Sequence, residues 1–90
     1  MRGRTITEVP GYAFEVCDVV KEGVYESWRI VLRDNPKYKG YMVLHCVHDT
    51  NSGDWSREFW REAFETVEQA KAKIMESLPE IKNDENGGAR

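Results

Sequence analysis

An α+β fold, a meander of four antiparallel strands followed by one C-terminal helix (ββββα), is what the sequence predicts from three observations. Apolar and polar residues alternate with period two in the stretch "SWRIVLRD". The turn signatures "KEG", "NPKYKG" and "NSGD" cut the chain into short apolar segments, and a capping box, "TVEQ", opens the last amphipathic stretch. Ninety residues suffice for one compact core. The predicted organisation is an N-terminal arm over residues 1–11, a single α+β domain over 12–82, and a polar, disordered tail over 83–90.

The first predicted strand runs from about Tyr12 to Val20, where Phe14, Val16 and Val20 share one side and Asp18 is the exception. The second, Tyr25 to Asp34, has the clearest pattern: Trp28, Ile30 and Leu32 alternate with Arg29, Val31 and Arg33. Pro36 and Gly40 mark the loop that follows, and the third strand, Tyr41 to Asp49, is rich in the branched and aromatic residues that strands favour.

The stretch from Arg57 to Leu78 admits two readings. Trp60, Phe64, Val67, Ala70, Ile74 and Leu78 recur at three- and four-residue intervals, as in one long helix. The capping box at Thr66 to Gln69 marks a helix start, however, and the three aromatics before it follow directly from a strand and a turn. The expectation is therefore a fourth strand, Arg57 to Glu65, then a helix from Val67 to about Leu78, ended by Pro79.

Composition excludes several classes of function. The net charge of −3 and pI near 5.4 give no broad positive field toward duplex DNA or anionic lipid. No run approaches the roughly 20 apolar residues that span a bilayer, and the N-terminus lacks the apolar core of a secretory signal, so a cytoplasmic address with reduced Cys17 and Cys46 is expected.

"HCVHD" places Cys46 and His48 on one side of a strand, but the paired ligand spacings of zinc sites are absent; no metal and no cofactor are expected. His45 and Cys46 point to opposite faces and cannot form a nucleophile pair. Glycine loops that cradle phosphate are missing, and Glu58, Glu62 and Glu65 are interleaved with Arg57 and Arg61 as on a solvated surface. No enzymatic activity and no small-molecule substrate are expected.

One helix cannot cover both faces of a sheet. If Trp28, Ile30, Leu32, Met42, Leu44, Trp60 and Phe64 pack under the helix, Tyr25, Val31, Tyr41, Val43 and Phe59 remain on the other face, rimmed by Arg29, Arg33, Arg57 and Arg61. The binding residues expected on this basis are Tyr25, Arg29, Arg33, Tyr41, Val43, Arg57, Phe59 and Arg61. The expected function is a small non-catalytic binding or regulatory module acting through protein contact, with a homodimer as one form. The alternative is a single-stranded nucleic acid partner, for which rings stack on bases and guanidinium groups meet phosphates.

Overall fold

The computed structural model describes residues 3–10 and 13–81, and the polar tail expected over 83–90 lies outside them. Five antiparallel strands, β1 (Gly3–Val9), β2 (Ala13–Lys21), β3 (Val24–Asp34), β4 (Lys39–Asp49) and β5 (Asp54–Phe64), are joined in chain order into one sheet, and the helix α1 (Val67–Ser77) follows. The α+β meander with a C-terminal helix is as expected, with one strand more.

The additional strand is the segment expected to be an arm. Within β1, Ile6 pairs with Val16 and Arg4 with Asp18, and the Arg4 guanidinium donates to both oxygens of the Asp18 carboxylate at 2.7 and 2.9 Å. Asp18, the residue that broke the apolar alternation of β2, is 0% exposed on the helix side of the sheet. A buried carboxylate requires a cation and hydrogen-bond donors, so β1 is held by a need that originates in β2. Arg4 also donates to the carbonyl of Pro79 at 2.6 Å, and Lys71 reaches Glu8 at 2.6 Å, tying β1 to the helix and the segment behind it.

The capping box sets where the helix begins. The Gln69 N–H donates to Thr66 Oγ1 at 3.1 Å, while Gln69 Oε1 accepts from the N–H of Glu65 at 2.9 Å, one residue earlier than the usual reciprocal bond. β5 therefore runs to Phe64 and the chain turns at once into the helix, so the strand-then-helix reading of Arg57 to Leu78 holds.

The core lies between α1 and one face of the sheet. Ala70 and Ile74 are fully buried against Phe14, Val16, Trp28 and Val43, with Ile30, Tyr41, Trp60, Phe64 and Leu78 packed around them. Eleven helical residues reach only about 16 Å, against about 36 Å for the eleven residues of β3, β4 or β5, so the helix covers less than half the length of the strands. Beyond it the helix side turns polar: His45 stacks on Trp28 at 5.3 Å and pairs with Glu26 at 2.6 Å, closing the end of the core.

Here the structure corrects the expected faces of β4. Ile30 pairs with Val43 and Leu32 with Tyr41, so Tyr41 and Val43 lie on the helix side, while Met42 and Leu44 face away. Hairpin length is the cause. The β3–β4 ladder closes at Asp34 and Lys39 and leaves four residues in the loop, where Asn35 Oδ1 accepts from the N–H groups of Lys37 and Tyr38. An even loop places even-numbered residues of one strand beside odd-numbered residues of the next. A register with Trp28, Ile30 and Leu32 beside Met42 and Leu44 would need an odd loop.

The far ends of the hairpins are tied to each other. Gly23, at φ 81, turns β2 into β3, and its carbonyl accepts from both the N–H and the hydroxyl of Thr50 at 2.7 and 2.8 Å. The backbone angle demands glycine there, and a Cβ, 2.7 Å from the Asn51 side-chain amide, would also push that amide off the Glu22 carbonyl it donates to.

Candidate functional site

The face without the helix is built from three parallel stripes. Alternation along β3 sends Tyr25, Ser27, Arg29, Val31 and Arg33 to this face, and their partners in β4 are His48, Cys46, Leu44, Met42 and Gly40. The partners in β5 are Trp55 beside His48, Arg57 beside Cys46, Phe59 beside Leu44 and Ala63 beside Met42. β4 thus lays a partly apolar floor, with the walls supplied by the aromatic and arginine residues of β3 and β5. Tyr25, Ser27, Arg29, Leu44, Trp55 and Arg57 are among the residues lining a concavity of about 370 Å³ at its centre.

Of the eight expected binding residues, six lie on this face, and five of them, Tyr25, Arg29, Arg33, Arg57 and Phe59, stand in its paired rows. Arg61 joins them at one end, where it lines a cleft with Arg33, Tyr38, Met42 and Phe59. Val43 and Tyr41 do not belong: Val43 is 0% exposed in the core and Tyr41 packs against it. Sequence reasoning missed Trp55, His48 and Tyr38. Trp55 had a signal, since Trp55, Arg57, Phe59 and Arg61 alternate with period two, but starting the fourth strand at Arg57 left it in the turn.

The rings are not equivalent. Trp55 is 56% and Tyr25 40% exposed, and Trp55 meets His48 edge-on at 4.4 Å, so these two present free surfaces at one end. Phe59 already carries a cation, the Arg33 guanidinium lying 4.4 Å above its ring and 5.5 Å from Tyr38. An arginine over a ring face still has N–H donors to offer an anion.

Charge is sorted between the two sides of the sheet. On the helix-free face, Arg29, Arg33 and Arg57 stand against Glu15, which lies 3.5 Å from Arg29 with both side chains partly in water, a weak pair. Glu58 pairs with His45 on the helix side, and Glu62 lines the groove between β5 and α1 with Glu65, Lys73 and Glu76. The Arg and Glu residues that alternate along β5 are therefore separated by the pleat. In a chain of net charge −3, this face is locally positive.

Cys17 and Cys46 both lie on this face, each beside Ser27, two strands apart. Two strand spacings put their Cα atoms about 10 Å from each other, beyond the roughly 7 Å limit for a disulfide. Burial, with Glu15 and Asp18 adding to it, pushes the Cys17 thiol above its ordinary value, which holds it protonated at neutral pH. His45 points to the helix side and Cys46 away from it, so the two cannot meet. Among the described residues, no three His, Cys, Asp or Glu side chains converge in a way that would hold a metal ion, and no helix is long and apolar enough to cross a membrane.

No protein-family model, curated protein or solved structure matches this chain.

Proposed function

We propose that this protein is a small non-catalytic binding module whose working surface is the helix-free face of its sheet, and that its partner is anionic. One observation carries the reading: a single face gathers Arg29, Arg33 and Arg57 with the exposed rings of Tyr25 and Trp55, while the carboxylates of β5 point away. Exposed aromatics beside arginines are the residues that contribute most at contact sites.

Self-association across this face is the weaker form of a contact function. A two-fold interface sets a surface against its own copy, which would bring Arg29, Arg33 and Arg57 toward their equivalents. Like charges brought together in a desolvated contact cost several kcal/mol. Pairing through the free edge of β5 is opposed as well, because the ladder shifts register opposite Met42 to Leu44 and charged side chains run along the strand. A partner bearing negative charge meets neither obstacle.

The test is a titration of isotope-labelled protein with a heparin oligosaccharide, a polyanion without aromatic rings, followed by NMR. Shifts confined to Tyr25, Ser27, Cys46, Arg57 and the Trp55 indole are expected, weakening as salt is added. Shifts mapping to the outer side of α1, or none at low salt, would overturn the proposal.

A further inference from the structure

We infer that the anionic partner of the helix-free face is a single-stranded nucleic acid, laid along the strands with its bases against Trp55 and Tyr25 and its phosphates against Arg29, Arg57 and Arg33; this rests on the binding reading above. The alternative anion, an acidic peptide, differs in what it requires of a sheet. An extended peptide bound at a sheet gains most of its affinity from main-chain hydrogen bonds, which only an edge strand can offer. Within β3 and β4 the main-chain groups are used by the ladders on either side, so this face offers side chains alone. Bases need rings and phosphates need guanidinium groups, and both are present.

The spacing suits a strand of nucleotides. Tyr25, Arg29 and Arg33 stand on β3, and Trp55, Arg57 and Phe59 on β5, at steps of two or four residues. Each two-residue step is about 6.7 Å, comparable to the distance between successive phosphates of an extended single strand. From Tyr25 to Arg33 the track is about 27 Å long, room for roughly four nucleotides. The free rings lie at one end and the ring-supported arginine, Arg33 on Phe59, at the other, so the site has a direction.

The negative remainder of the protein selects against duplex. Its carboxylates sit largely on the helix side, and screening beyond about 10 Å at 0.1 M salt hides them from a short strand held on the opposite face. A duplex keeps its bases stacked inside, presents no ring to Trp55, and extends past the positive track.

The experiment is fluorescence anisotropy with the full chain and a labelled oligothymidylate of about twelve nucleotides, beside an abasic strand of the same length, a polyglutamate peptide and a duplex. Oligothymidylate should bind best. Three arginines meeting phosphates should give a slope of log affinity against log salt of about −2. Trp55→Ala should weaken binding about five- to a hundredfold, Arg57→Ala should lower the slope by about 0.7, and Lys73→Ala, on the helix, should change nothing. Circular dichroism of each variant reports that the fold is retained, as the exposure of these side chains leads one to expect.

If polyglutamate or the abasic strand binds as tightly as oligothymidylate, the partner is wrong and the binding face stands. If oligothymidylate fails to bind at micromolar protein and low salt, the inference falls while the heparin titration still judges the face. Binding that is unmoved by Trp55→Ala and Arg57→Ala but lost in Lys73→Ala would take down both.

Discussion

The two faces of one sheet use the same alternation for opposite ends. On the helix side, Phe14, Val16, Trp28 and Val43 are closed over by Ala70 and Ile74, and the buried carboxylate of Asp18 is met by the Arg4 guanidinium. On the other side Trp55 and Tyr25 stay partly in water, and among the described residues the arginines of this face have one weak carboxylate partner, Glu15 beside Arg29. Residues next to one another in the chain, such as Trp28 and Arg29, thus lie in opposite surroundings. The helix side holds the core, and the helix-free side carries the surface proposed to bind.

The comparison predicts a steep asymmetry in the cost of substitution. The largest effect is expected for Trp28→Ala, since this ring is 4% exposed at the centre of the core and also supports His45. Removing it should cost about 3 to 5 kcal/mol, enough to unfold much of a domain whose whole stability is of that order, as a urea melt would report. Retention of a cooperative transition near the wild-type midpoint would show that the core lies elsewhere.

Next comes Arg4→Met, which takes the Arg4 cation away from the buried Asp18 carboxylate and should cost about 3 kcal/mol. The sharper measurement is the rescue: Arg4→Met combined with Asp18→Leu removes the buried charge along with its Arg4 partner and should recover much of the loss. A double variant no more stable than Arg4→Met alone would mean that β1 is held by something other than this pair.

On the opposite face, Trp55→Ala should alter stability by no more than about 0.5 kcal/mol. A loss comparable to that of Trp28→Ala would erase the distinction between the faces.

The smallest effect concerns pH. Burial raises the Cys17 thiol above its unfolded value, so the stability it contributes is fully present below the ordinary thiol range and is lost as pH rises through the raised value. Wild-type protein should lose a little stability above about pH 8.5 that Cys17→Ala does not, and paired melts at neutral and alkaline pH would detect it. Equal losses in both proteins would assign the alkaline decline to other groups.

Much of the architecture was legible in the chain because it is encoded by neighbours. The alternation of Trp28 to Arg33, the loop residues Pro36 and Gly40, and the Thr66 to Gln69 cap each act within a few residues, and the strand and helix boundaries they imply fall close to those observed. That six of the eight residues expected on the open face would share it was legible for the same reason: Tyr25, Arg29 and Arg33 share a parity within β3, and Arg57, Phe59 and Arg61 share one within β5.

What the sequence alone determined is therefore the set of elements from β2 onward and the two-sidedness of β3. Only the tertiary structure decided the rest. β4 is apolar on both sides, "YMVLHCV", so nothing within it says which parity is buried; the four-residue loop and the ladder to β3 turn Val43 inward and Leu44 outward. β1 carries little apolar signal, and it is recruited by a carboxylate fourteen residues away. The interleaved Arg and Glu of β5 look like an ordinary solvated surface until the pleat parts them. Periodicity is a local property, whereas register is a relation between strands, and a slip of one residue exchanges every side chain between the faces.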